Sequence, residues 1–176
     1  MPTVTVAPDA AANSYISLTD AELYFEFQPG DVRTAWNAGD DPAKEAALIA
    51  ATRILDGRSW AGTKAHALDE NGLRWPRAGV YNADSQVLDS ETIPAFLQQA
   101  TCELAKSLIA GEVNAAGGES QAFPIESVSV GEISVNYDTE KQSGAGNYRS
   151  QYSNAVEMLI RPYLTGQRRT LKLLRS

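Results

Sequence analysis

Two alanine- and leucine-rich stretches, each opened by a proline and closed by a glycine, constrain the fold more than any other feature of the chain. In the first, Asp41-Pro42 supplies an acidic N-cap and then the residue favoured in a first helical turn, and Gly57 supplies the stop. Residues 42–56 therefore read as a helix, with Ala47, Ala50, Ala51, Ile54 and Leu55 recurring at three- and four-residue spacing. So many alanines on one helix let another helix approach closely. In the second stretch, Pro94 opens what reads as the longest helix, running to about residue 110 and stopped by Gly111. Leu97, Ala100, Thr101, Leu104 and Leu108 form one stripe, and Gln98, Gln99 and Lys106 lie on the far side. Cys102 falls near the edge of that stripe as a small packing residue. A chain of 176 residues is one domain's worth and buries a real core.

Weaker signals place the remaining elements. Ser17 with Asp20 resembles a capping box, so a short helix follows to about Phe27, with Leu23, Phe27 and Tyr24 as its apolar side and Pro29-Gly30 as its end. Residues 1–14, rich in Ala, Pro and Thr, read as a loose N-terminal arm. Pro76 biases Trp75 away from helix, so Leu73 to Val80 reads as extended chain. Residues 112–122 form a Gly/Ala/Ser-rich loop, after which the period becomes two. Val128 and Val130, then Ile133, Val135 and Tyr137, alternate with polar residues around Gly131-Glu132. A β-hairpin over about residues 123–138, or a bulged strand, is expected there. Residues 143–147 read as a linker and residues 152–161 as a last helix ended or bent by Pro162. One domain thus spans residues 15–164 and leaves a tail, 165–176, too short to build a core.

Charge is divided unevenly. Residues 161–176 carry Arg161, Arg168, Arg169, Lys172 and Arg175 without an acid, which leaves ten bases against 22 acids in the rest of the chain. Such a body repels a nucleic-acid backbone, while the tail suits an acidic partner or phosphate. No apolar run reaches the length of a membrane span, and no basic start precedes an apolar stretch, so no secretory leader is expected. With Cys102 alone an intrachain disulfide is impossible.

Residues of catalytic type are scarce. His66 is the only histidine and sits in a polar segment without a nucleophile motif, so it reads as an exposed loop residue. One His and one Cys fall short of a zinc site, and no other metal or cofactor motif is present. Asp40-Asp41 and Asp69-Glu70 read as a cap and a turn. Neither Gly117-Gly118 nor Gly144-Ala145-Gly146 has the strand–turn–helix context of a nucleotide fingerprint. The expectation is a protein without enzymatic activity.

Several stretches, taken in order, resemble a known family. They are Tyr15-Ile16-Ser17-Leu18-Thr19-Asp20-Ala21 with Tyr24-Phe25, Trp36, Lys44 through Asp56, Trp60-Ala61-Gly62, Leu73-Arg74-Trp75-Pro76-Arg77, the Ile93-Pro94 helix, the Val128–Tyr137 alternation, and a closing helix with Pro162-Tyr163-Leu164. This order is similar to the head–tail adaptor (connector or neck) proteins of tailed phages, sequences often labelled DnaT-like single-stranded-DNA-binding proteins. The resemblance implies a mainly α fold: a small antiparallel bundle of about four helices with a β-hairpin or β-arm. It implies a structural protein of the virion neck, made in the host bacterial cytoplasm. Copies form a ring, commonly of twelve, that docks under the portal protein, extends the DNA channel and offers a platform to further neck or tail proteins. Genomic double-stranded DNA passes through without sequence-specific binding.

On that reading, Arg168, Arg169, Lys172, Leu173, Leu174 and Arg175 contact the portal. Trp75, Arg74 and Arg77, with Val128, Val130, Ile133, Val135 and Tyr137, form subunit interfaces. Core filling is the first reading of Trp60 and Trp75, and the interface role the second. The alternative function is single-stranded-DNA binding, for which Arg74-Trp75-Pro76-Arg77 and Tyr148-Arg149 offer small combinations of base and aromatic.

Overall fold

The computed structural model describes residues 3–67, 70–112, 127–130, 133–136 and 153–165. Among them are five α-helices, α1 (Leu18–Glu26), α2 (Gly30–Asn37), α3 (Asp41–Asp56), α4 (Ala95–Ile109) and α5 (Asn154–Ile160). A 3₁₀ turn (Arg161–Tyr163) follows α5. Two short antiparallel ribbons accompany them, β1 (Thr63–Lys64) with β2 (Arg77–Ala78) and β3 (Ser127–Val130) with β4 (Ile133–Asn136). The protein is mainly α with a β-hairpin.

The caps explain where the helices start. The Ser17 hydroxyl accepts from the Asp20 amide at 3.1 Å, and its own proton goes to the Asp20 carboxylate at 2.6 Å. Helix α3 begins one residue earlier than Asp41-Pro42 suggests, because Asp40 is the N-cap and accepts from the Ala43 amide at 3.0 Å. Pro42 still sits in the first turn, where a missing N–H costs nothing. Ser153 caps α5. At 16 residues α3, not the 15-residue α4, is the longest helix.

Helix α4 is the hub. It packs on α3, α5, α2 and α1, so its burial extends beyond one stripe to Cys102, Glu103, Ala105 and Ser107. Helices α3 and α4 run antiparallel, since Gly39 at the start of α3 abuts Ile109 at the end of α4. Helix α1 is antiparallel to α3 as well. Its start is tied to the end of α3 by the Tyr15 hydroxyl on Asp56, and its middle to the beginning of α3 by Glu22–Lys44 at 2.6 Å. Aromatic clusters fill the two ends of this bundle. Phe25 stacks on Trp36 with centroids 4.5 Å apart, while Trp60, Trp75, Phe96 and Tyr163 gather at the other end.

Two expectations need correction, and one helix is unanticipated. The N-terminal segment is not a loose arm over the described residues. Ala7 N–H donates to the Ser14 carbonyl at 3.1 Å, Asn13 N–H donates to Thr5, and Gly72 N–H donates to Asp9, closing residues 5–14 into a loop against the body. Its Ala/Pro composition hid backbone pairing that needs no large side chain. Helix α2 had no sequence-based expectation, because Pro29-Gly30 was read only as a stop; Pro29 is also the N-cap of α2, which carries Trp36 into the core. On α1 the buried side is Ala21 and Phe25 with Leu18 against the core, whereas Leu23 and Phe27 face out.

The hairpin appears as an uninterrupted two-stranded ladder instead of a bulged strand. Val128 lies opposite Val135 and Val130 opposite Ile133, which leaves Gly131-Glu132 as the two linking residues. Tyr137, the loop 112–122 beyond Glu112, the 143–147 linker and the tail from residue 166 fall outside the described residues.

Candidate functional site

The most distinctive segment, Leu73-Arg74-Trp75-Pro76-Arg77, is built into the fold. Trp75 has 0% exposure, meets Trp60 edge to face at 5.5 Å and meets Phe96 in the same way. Its carbonyl accepts from the Nδ2 of the buried Asn71 at 2.6 Å, and the Asn71 Oδ1 accepts from Leu73 N–H at 3.1 Å. Asp56, at the end of α3, accepts from the Tyr15 hydroxyl and from Arg74 N–H. Burial, reinforced by the Asp56 charge and hydrogen bond, pushes the Tyr15 phenol above its ordinary value.

Arg77 closes the knot. Its Nε donates to the Ala61 carbonyl at 2.7 Å, Nη2 to Gly62 at 2.6 Å and Nη1 to Arg74 at 3.3 Å. The planar fork thereby clamps the Trp60-Ala61-Gly62 turn onto β2. Burial and the Arg74 charge beside it lower the Arg77 pKa. Gly62 sits at φ +73°, and a Cβ there would run into the Ala78 carbonyl and Val80 Cγ2. Glycine is thus required where the turn passes under β2.

This geometry corrects the interface assignment of Trp75. A side chain with no exposed surface offers a neighbour no area and a DNA base no face to stack on. The core-filling reading of Trp60 and Trp75 holds. Arg74 and Arg77 direct guanidinium donors at backbone carbonyls of their own chain, Arg74 Nη1 reaching Arg58 at 3.2 Å. Tyr148 and Arg149, the other candidate pair for a nucleic acid, lie outside the described residues, as do the tail residues Arg168, Arg169, Lys172, Leu173, Leu174 and Arg175. Val128, Val130, Ile133 and Val135 are on the hairpin strands as expected.

His66 is more enclosed than a free loop residue. Its side chain is 19% exposed and stands between two carboxylates, Nδ1 3.8 Å from Glu70 and Nε2 3.7 Å from Glu91. The contacts join one loop to another. Cys102 is fully buried, and desolvation, with Glu103 and Asp20 nearby, pushes its thiol well above the ordinary value. Among the described residues no group of three or more His, Cys, Asp or Glu is placed to hold a metal ion, and no helix is long and apolar enough to cross a membrane.

Surface features remain as the candidates for recognition. A groove of about 440 Å³ runs between α1 and α2, lined by Thr19, Glu22, Leu23, Phe25, Glu26, Arg33 and Asn37. Leu23 on its wall is 53% exposed, and Phe27 just past α1 is 80% exposed. Sequence reasoning missed the groove because it assigned both side chains to the core. The signal was present in the i, i+4 spacing of Leu23 and Phe27, on a different side of the helix from Ala21 and Phe25. The second feature is the β3–β4 hairpin, in which each strand is paired along one edge only among the described residues.

The helical bundle buries the Trp-Pro-Arg knot and leaves the α1–α2 groove open at its surface. Its family follows from comparison: the model described as "Putative DnaT-like ssDNA binding protein" matches residues 4–176, and the chain belongs to that family. No curated protein and no solved structure matches the chain.

Proposed function

We propose that this chain is a structural head–tail adaptor of a tailed phage. In this reading copies assemble head to tail into a ring, commonly of twelve, beneath the portal protein in the virion neck. The ring extends the DNA channel and receives further neck or tail proteins, without catalysis or a cofactor. The observation that carries the reading is the two-stranded β3–β4 hairpin, whose strands pair only with each other among the described residues and so leave outer edges for a neighbouring copy. Head-to-tail assembly uses two different faces of each subunit, and the hairpin is one of them in this reading. The acidic body supports the same reading, since it lets the DNA backbone slide past. The basic tail is the portal contact.

Negative-stain electron microscopy of the full chain, alone and with the portal ring encoded beside it, tests the reading. A new ring stacked on the narrow end of the portal is expected. Portal rings left bare over a range of salt concentrations overturn it. Replacing Arg168, Arg169, Lys172 and Arg175 with serine then removes portal binding if the tail assignment is right.

The family description favours a second reading, single-stranded-DNA binding. With Trp75 buried and the body acidic, the tail's four bases beyond residue 165 are the natural phosphate contacts. Four neutralised phosphates give a log K against log salt slope no steeper than about −3. A steeper slope, or tight binding at physiological salt, would favour this reading and require a basic face that the described body lacks.

A further inference from the structure

The α1–α2 groove offers apolar surface inside an acidic neighbourhood. Phe25 underlies it, Leu23 stands on its wall and Phe27 extends the apolar strip past the helix end. Between residues 17 and 45 seven acids face two bases, and one of those bases, Lys44, is held by Glu22 at 2.6 Å. Arg33 is the one base on the groove lining. Glu26 on the lining is exposed, as is Asp31 in the first turn of α2.

The chain beyond the described residues has the complementary chemistry. Residues 166–176 contain four bases, no acid and three leucines, Leu171, Leu173 and Leu174. We propose that this tail docks in cis in the α1–α2 groove of its own chain, with its leucines against Leu23 and Phe27 and its bases beside Glu26 and Asp31.

Length and attachment point favour the cis route. Thr165 N–H donates to the Ser59 carbonyl at 2.8 Å, which fixes the tail's origin just beyond the end of α3. The groove lies toward the opposite end of α3, because Glu22 on its lining meets Lys44 and Lys44 stands over the Trp36 ring. Helix α3 is about 24 Å long at 1.5 Å per residue. At up to about 3.5 Å per residue, positions 171–174 of an extended tail reach at most about 21–32 Å from Thr165, enough to span the length of α3. Tethering makes the contact intramolecular, so it forms without a second molecule. The inference needs neither a ring nor a portal, and stands or falls apart from the adaptor reading.

Carbodiimide cross-linking of the full chain, followed by peptide mass spectrometry, tests it. The sample is an equal mixture of unlabelled and nitrogen-15-labelled protein, so that links within a chain carry one isotope and links between chains carry both. Lys44–Glu22 is the internal standard for a folded protein. Lys172 is expected to link to Glu22, Glu26 or Asp31 in isotope-pure pairs. Leu23→Ser with Phe27→Ser, both at exposed positions, lowers that yield several-fold against the standard. Lys172 links spread over acids elsewhere, an unchanged yield in the double variant, or isotope-mixed pairs as the main product would each overturn cis docking.

Discussion

Replacing Arg77 distinguishes a structural clamp from an interface hot spot. Its guanidinium donates to Ala61 at 2.7 Å, Gly62 at 2.6 Å and Arg74 at 3.3 Å. Hydrogen bonds from charged donors are each worth about 1.5–3 kcal/mol, and the half-exposed setting of Arg77 reduces this to about 1 kcal/mol apiece. Arg77→Ala should therefore cost about 2–3 kcal/mol. Arg77→Lys keeps one donor but loses the planar fork, and should cost about 1–2 kcal/mol. For a domain of this size, each kcal/mol lowers Tm by about 2–4 °C, so falls of about 4–12 °C and 2–8 °C are expected. Differential scanning calorimetry reads the Tm, and sedimentation velocity on the same samples reads assembly. A Tm within about 1 °C of wild type, together with lost assembly, would refute the clamp and restore the interface role.

Three further substitutions or titrations follow from the same geometry. Gly62→Ala combines a disfavoured φ with a collision at Ala78, and should lower stability by about 2 kcal/mol or more in a urea titration. Cys102 should react with a thiol reagent at mildly alkaline pH only after denaturation, because burial holds it as the neutral thiol; fast labelling of the native protein would contradict its placement. Tyr15 and Tyr24 are both held above the ordinary phenol range by burial, with Asp56 and Glu103 respectively adding to it. Their folded pKa values exceed the unfolded ones, so the linked stability is whole below about pH 10 and is lost as pH rises past that toward the folded values. The urea midpoint should decline above about pH 10, and Tyr15→Phe should make the decline shallower.

Much of the architecture was legible because local chemistry and packing agree. Asp40-Asp41-Pro42 with Gly57, and Pro94 with Gly111, mark α3 and α4 within a residue or two. The hairpin is legible from alternation around Gly131-Glu132. What escaped depends on tertiary contact. Helix α2 is an eight-residue segment whose stability comes from Trp36 against Phe25, a contact no local pattern announces. The outward turn of Leu23 and Phe27 follows from α1 meeting α3 and α4 with Ala21 and Phe25. Trp75 and its arginines carried an interface-like composition, and only the position of Asn71, Asp56 and the Ala61–Gly62 carbonyls reveals that those donors are used internally. For the candidate site, composition identified the basic tail but not the groove that complements it.

The adaptor reading and cis docking assign one tail to two surfaces, and their coupling has a measurable consequence. If a tail rests in its own groove nine-tenths of the time, only the free tenth can meet a portal, and the apparent portal Kd is raised about tenfold, or about 1.4 kcal/mol. Leu23→Ser with Phe27→Ser removes the competing site while leaving every tail residue intact, so portal affinity should tighten by that factor. Surface plasmon resonance on immobilised portal rings measures it. The opposite result, weaker portal binding in the double variant, would mean that Leu23 and Phe27 themselves face the portal. An unchanged Kd alongside a confirmed Lys172 cross-link to the groove would mean that the portal does not use the tail. The competition argument therefore fails in a different way for each of its two premises.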